Sequence, residues 1–165
     1  MNYADLRLFD ATNGKGIGIS LFVSGCLFRC KECFNSDAWN FDYGKPFTKE
    51  VEDYFIDNAK NEHIDHISLL GGEVFQQDIE VILNLVRRIK QEVNKPIWIW
   101  TGYTFEDLLK DYDKYKILLY VDIIVDGRFE INNKDINLLF RGSSNQRIID
   151  VQKSLKTHRT IEYLK

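Results

Sequence analysis

Ile17-Gly-Ile-Ser-Leu-Phe-Val23, followed without a break by Ser24-Gly25 and Cys26-Leu-Phe-Arg-Cys30-Lys-Glu-Cys33, is the stretch that decides the fold. A short apolar run, β-branched at both ends, reads as a strand. It empties directly into a loop that holds all three cysteines of the 165-residue chain. Three thiolates in a C-x3-C-x2-C loop can occupy three corners of a cube. A [4Fe–4S] cluster usually takes four protein thiolates, so three leave one iron free for another ligand. An open coordination position is what separates a reactive metal site from a structural one.

Two plainer readings of the cysteines are weaker. A disulfide framework fits neither the odd count nor the local spacing. Met1-Asn-Tyr-Ala-Asp5 also lacks the basic start and apolar run of a secretory signal. A structural zinc site wants a fourth ligand nearby, and His63, His66 and His158 stand in no metal-ligand spacing with the thiols. A reducing, cytoplasmic compartment is expected.

Outward from the loop, short apolar strands alternate with amphipathic helices. Ile67–Leu70 is a strand ending at Gly71-Gly72-Glu73, Ile97–Thr101 one ending at Gly102, and Val121–Val125 one ending at Asp126-Gly127. Thr48 caps a helix expected to bury Val51, Tyr54 and Phe55. Ile79, Ile82, Leu83, Val86, Ile89 and Val93 make the strongest helical stripe, with Arg87, Arg88 and Lys90 late in the run where they suit the helix dipole. Thr104-Phe-Glu-Asp107 is a capping box opening a helix through Leu108, Leu109 and Tyr112. Further on, Leu138–Phe140 and Ile148–Ile149 are strand candidates. The alternation predicts an α/β fold with a mostly parallel sheet. Trp98 and Trp100 alternate with Ile97 and Ile99 and read as core. Gly25, Gly71-Gly72, Gly102 and Gly127 each follow a strand, the end at which α/β folds bind ligands.

Composition sets outer limits. Apolar residues make up 44% and charged residues 28%, with 11 Phe, 8 Tyr and 3 Trp to fill a core. One domain over residues 1–165 is the natural division. A net charge of −3 gives no basis for a nucleic-acid partner. No apolar run approaches the roughly 20 residues that cross a bilayer, so no membrane role is expected.

The cysteine spacing after a first strand resembles the radical S-adenosylmethionine (SAM) superfamily. Within it, the chain is similar to the activating proteins of anaerobic (class III) ribonucleoside-triphosphate reductases. The similarity is carried by Asn13–Gly16, Ser20–Cys26, Cys33-Phe-Asn35 with Trp39, Leu70–Glu73, Trp100–Tyr103, Asp122–Phe129 and Arg141–Asp150. It departs at Val74, where many relatives have proline, and at Glu32, where many have an aromatic before the third cysteine.

The resemblance implies an incomplete, open radical-SAM-type β/α barrel. Full barrels run to about 250 residues, so this chain has room for about five or six βα units and an open side. Cys26, Cys30 and Cys33 would ligate the cluster, and its fourth iron would hold the amino and carboxylate groups of SAM. Glu32, Cys33 and Phe34 are candidates near the adenine, which a side chain or a backbone group there would contact. Gly71 and Gly72 would let the backbone approach the methionine part, and Glu73 belongs to the motif that recognises its amino group. Thr101 and Asp126 are further SAM candidates. Each carboxylate or hydroxyl has a competing role: Glu73 and Thr101 at helix N-termini, Asp126 in an Asp-Gly turn. Arg141 and Arg147 could pair with the SAM carboxylate or with a partner protein.

The activity implied is formation of a 5′-deoxyadenosyl radical that installs a glycyl radical on the reductase, with an electron donor such as flavodoxin. Three other readings compete: a radical SAM enzyme acting on a small molecule, an activator of the pyruvate formate-lyase type, and a non-catalytic metal-binding adaptor.

Overall fold

The computed structural model describes residues 1–165. In chain order it contains β1 (Asn2–Asp10), β2 (Gly18–Val23), β3 (Lys45–Pro46), α1 (Lys49–Ala59), β4 (His66–Gly71), α2 (Ile79–Arg88), β5 (Ile97–Trp100), α3 (Phe105–Lys110), α4 (Tyr112–Leu118), β6 (Ile123–Asp126), β7 (Arg147–Asp150), α5 (Val151–Thr157) and β8 (Glu162–Leu164). The strands form one open sheet in the order β3-β1-β2-β4-β5-β6-β7-β8. No helix is long and apolar enough to cross a membrane.

The mostly parallel sheet expected from the sequence is corrected. Only β2-β4-β5-β6 pair in parallel. The pairings of β1 with β2 and β3, of β6 with β7, and of β7 with β8 are antiparallel, four of the seven. The cause is in the connections. A parallel return needs a crossover of a dozen residues or more, usually a helix. Residues 11–17 are too few for one, and residues 127–146 contain only a single 3-10 turn at Ile131–Asn133. The sheet does not close, and its edges are β3 and β8.

Side-chain alternation sorts the two faces. Ile19, Leu21, Val23, Ile67, Leu69, Ile97, Ile99 and Ile124 point to one face and form the main core with Phe55, Leu83, Val86, Leu108 and Ile117 of the helices. Burial at about 25 cal/mol per Å² of apolar surface is what holds this layer. The opposite face carries a smaller apolar group, Trp98, Ile123, Val125 and Ile148, with Trp100 and Phe140 packed against it. Beside it, Ser20 and Ser68 are fully buried. They are satisfied by the end of β1 and the segment after it: Ser20 donates to Asp10 Oδ2 (2.7 Å), and Ser68 donates to the Asn13 carbonyl (2.6 Å).

The helix starts follow side-chain capping. Thr48 Oγ1 accepts from the Val51 N–H and Thr104 Oγ1 from the Asp107 N–H. Three local expectations change. Phe55 is buried as expected, together with Ile56 and Ala59, but Val51 is half-buried and Tyr54 half exposed; Tyr54 lies one residue, about 100°, off that stripe. The helix opened by Thr104 stops at Asp111, whose carboxylate accepts from Asp113 and Lys114 N–H and starts a separate helix, α4. Leu138–Phe140 is loop rather than strand. Phe140 sits in left-handed backbone (φ 62°) with its ring edge-on to Trp98 and its carbonyl accepting from Trp100 Nε1 at 2.7 Å.

Asp126, at the end of β6, is almost fully buried. Arg147 Nε donates to its Oδ1 (3.0 Å), and the same guanidinium reaches Glu106 Oε2 at 2.7 Å. This ties β6 to β7 and α3. Arg147→Ala leaves the Asp126 carboxylate buried without its cation. We expect a stability loss of at least about 1–3 kcal/mol, the cost of an unsatisfied buried group. It is read as a lower urea midpoint of the metal-free protein, and an unchanged midpoint would mean that the Phe105 N–H, which donates to Asp126 Oδ2 at 2.7 Å, satisfies the carboxylate alone.

Candidate functional site

The C-terminal ends of the four parallel strands open onto one cleft of about 700 Å³. Its first wall is the cysteine loop. Gly25 N–H donates to the Ala38 carbonyl (2.7 Å) and Cys26 N–H to the Trp39 carbonyl (3.1 Å), so the chain after the loop is bound back to its start. Cys33 N–H donates to the Cys30 carbonyl at 3.0 Å, and Leu27 N–H to Gln76 Oε1 at 2.7 Å. Arg29 (φ 48°) and Glu32 (φ 55°) take left-handed backbone to make so tight a turn. The three cysteines are free, half-buried and line the cleft together.

The thiols are suited to a cluster. Burial, the leading cause, raises the pKa of Cys26 and of Cys30, and the Cys33 sulfur adds to the rise at Cys30. Opposing this, backbone N–H groups of Phe28 and Arg29 act on Cys26, and the Phe129 N–H and the Arg128 charge act on Cys30. Metal binding must displace the thiol protons, and these donors offset only part of the rise that burial causes. No three His, Cys, Asp or Glu side chains converge on a single point as one bound ion requires. Three thiolates that each take their own iron need no such convergence. The residues therefore fit a [4Fe–4S] cluster.

The second wall is the end of β4. Gly72 N–H donates to the Val23 carbonyl (2.7 Å) and Glu73 N–H to the Gly25 carbonyl (2.8 Å), which also accepts from Gln77 Nε2. Here the approach is close enough to require glycine. A Cβ on Gly72 would lie 2.5 Å from the Gly25 carbonyl oxygen, and Gly71 has φ 103° with Val23 O only 2.7 Å from its would-be Cβ. Glu73 lines the cleft yet is 1% exposed, because its carboxylate is bound by the protein itself. It accepts from Thr101 Oγ1 (2.8 Å), Gly102 N–H (2.7 Å) and Phe75 N–H (3.1 Å). Glu73 thus laces the ends of β4 and β5 together and caps the short turn Val74–Gln76.

Of the residues singled out in the sequence, Cys26, Cys30, Cys33, Glu32, Phe34, Gly71, Gly72, Glu73 and Thr101 all line this cleft, as do Trp100 and Arg141. Asp126 and Arg147 do not; they are joined in the ion pair beneath it. Phe34 is 99% exposed, its ring projecting from the rim. The third wall is residues 127–146; sequence reading marked Gly127 and Arg141 there but gave no role to Arg128, Lys134 and Gln146, which also line the cleft. It also gave Asn13 no role, although Thr12 and Asn13 form part of the floor.

The family described as "4Fe-4S single cluster domain" matches residues 12–149. The anaerobic ribonucleoside-triphosphate reductase-activating protein of Pasteurella multocida (strain Pm70) is 38% identical over 152 residues, covering 90% of this chain and 96% of that protein. The protein of the same name from Escherichia coli (strain K12) is 40% identical over 150 residues, 88% of this chain and 96% of its own length. That of Enterobacteria phage T4 is 39% identical, with 90% and 93% covered. This chain belongs to the family of anaerobic ribonucleoside-triphosphate reductase-activating proteins.

Among the cleft's groups, this family member holds one with an unusual ionisation. Burial pushes the Glu73 carboxyl up from an ordinary 4.5 to about 7, against the three donors that favour its charged form. The folded chain then binds the Glu73 proton more tightly than the unfolded chain does. The resulting stability is fully present below about 4.5 and is lost as the pH rises through about 7. Comparison with Glu73→Gln isolates the effect. Between pH 7 and pH 4.5 the wild type should gain about 3 kcal/mol on the variant. A constant difference between their urea midpoints across that range would mean the three donors keep Glu73 ionised throughout.

Proposed function

We propose that this protein is a radical SAM enzyme that activates the anaerobic ribonucleoside-triphosphate reductase by installing a glycyl radical on its catalytic subunit. The observation that carries the reading is the shared cleft, in which three free thiols from one loop face a glycine-built strand end. Whole-length similarity to the activating proteins supports it.

In this reading residues 1–165 act as one domain. Cys26, Cys30 and Cys33 hold a [4Fe–4S] cluster, and the backbone at Gly71 and Gly72 takes the methionine part of SAM. A reduced cluster would supply one electron to SAM, cleaving it to methionine and a 5′-deoxyadenosyl radical that takes the Cα hydrogen of a glycine. Glu73 is a positioning residue: its carboxylate is spent on Thr101, Gly102 and Phe75, so it orders the rim. Thr101, whose hydroxyl proton goes to Glu73, keeps its oxygen's lone pairs for the Tyr103 N–H (3.1 Å). Glu32 and Phe34 stand at the adenine end of the cleft. Asp126 supports the site from below through Arg147. The chain supplies orientation and exclusion of water, while the cofactors carry the hard chemistry. The open side of the sheet suits a protein substrate, whose glycine segment would enter and close the cleft. A cytoplasmic setting with a flavodoxin-type donor completes the reading.

The test is anaerobic reconstitution with iron and sulfide, reduction, and addition of SAM and the reductase. A glycyl radical detected by EPR on the reductase is the expected result. A protein that holds zinc without visible absorbance, or that holds iron yet never cleaves SAM, would overturn it. A glycyl radical formed instead on a pyruvate formate-lyase would redirect the assignment.

A further inference from the structure

Arg128 lines the cleft beside the cysteine loop. Gly127 (φ 95°) turns the chain off β6, and the next side chain lies over the Phe28 ring with its guanidinium carbon 4.3 Å from the centroid. Phe28 belongs to the cysteine loop, between Cys26 and Cys30. It is itself clamped edge-on by Tyr103 at 4.8 Å. Gly102 makes room for it, since a Cβ there would fall 2.5 Å from Phe28. Asn145 Nδ2 donates to the Arg128 carbonyl at 2.8 Å and fixes the backbone. The guanidinium enters no ion pair, whereas Arg88 and Arg147 each meet two or more carboxylates. A cation is thus stacked on the thiol loop with its charge unspent.

We propose that Arg128 is a positioning residue for electron entry: stacked on Phe28, its charge makes a cluster bound at Cys30 easier to reduce. The proposal rests on the cluster reading above. Three thiolates on a dicationic core leave a net negative charge, and the added electron makes it more negative. A nearby cation therefore stabilises the reduced state more than the oxidised one. Net charge, hydrogen bonds to sulfur and exposure are the factors that set such potentials. Arg128, stacked on the ring between Cys26 and Cys30, supplies the first of these. Stacking on an aromatic face suits arginine, which stays charged and is weakly hydrated.

The experiment is an EPR-monitored redox titration of the reconstituted protein without SAM, comparing wild type with Arg128→Gln, Arg128→Lys and Phe28→Leu at equal iron and sulfide content. Arg128→Gln should disfavour reduction at least tenfold, a 59 mV fall in midpoint for a one-electron couple. Arg128→Lys should keep most of the wild-type value, and Phe28→Leu, which frees the guanidinium, should fall between. An unchanged or raised midpoint in Arg128→Gln overturns the proposal, even if that variant cleaves SAM poorly. Should Arg128→Gln not hold a full cluster, Phe28→Leu decides alone, and an unchanged midpoint there overturns it. Failure of the wild type to assemble any cluster would instead strike the functional reading itself.

Discussion

Cys30→Ala is expected to abolish the iron–sulfur absorbance of the reconstituted protein and the glycyl radical on the reductase while leaving the fold standing. Cys30 is half-buried on a surface loop and lies outside both apolar clusters. The bond it contributes to the loop, from Cys33 N–H, goes to its backbone carbonyl and survives the substitution. The metal-free variant should therefore unfold within about 0.5 kcal/mol of wild type, as surface substitutions do. The chain has three cysteines and they all sit in this loop, so no spare thiolate can replace the lost one. Iron analysis, visible absorbance and EPR after identical reconstitution check the prediction. Persistence of the radical signal in Cys30→Ala would remove the ligand assignment on which the functional reading stands.

Gly72→Ala is the second large effect, and it acts through the backbone. The added methyl would meet Gly25 O at 2.5 Å and Gly25 N at 2.9 Å, main-chain atoms that cannot rotate aside. Gly25 is fixed by Ala38, Glu73 and Gln77, and the next residue is Cys26. Relief must come from separating the ends of β2 and β4, which moves the Cys26 thiol relative to the rim. Overpacking of this kind costs about 1–3 kcal/mol. Production of 5′-deoxyadenosine should fall at least tenfold, because small misplacements at reacting groups carry large rate penalties. Gly127→Ala is the control. A Cβ there meets nothing closer than 3.8 Å, so only its positive φ resists, and SAM cleavage should be much less affected. Equal losses in the two variants would mean that crowding at Gly72 is not the cause.

The four parallel strands were legible because each is a short apolar run buried on both faces and punctuated by glycine. The capped helices were legible for a similarly local reason, a hydroxyl or carboxylate ahead of an amphipathic stripe. β1 was not. Asn2–Asp10 is half-buried and mixes Arg7 and Asp5 with Leu6 and Leu8, so no apolar run announces it. Its antiparallel partnership with β2 follows from a short connection rather than from residue type. Phe140 looked like strand because its neighbours are apolar, but it serves as an anchor for a loop. The cysteines and glycines of the site could be read directly, since few other residues can do what they do. Asp126 could not be separated from an ordinary ligand aspartate, because its true partner, Arg147, lies in a distant segment. Arg128 carried no signal of its own; its role depends on a ring a hundred residues earlier in the chain.

Trp98 and Trp100 stack at 5.8 Å on the strand that runs into the cleft, and Trp39 lines the same space. Every indole of the molecule therefore lies in or next to the chamber where an iron–sulfur chromophore would sit. Such a chromophore absorbs across the near-ultraviolet emission of tryptophan. Assembly of a cluster there should therefore dim the protein's own fluorescence, and loss of the metal to oxygen should restore it.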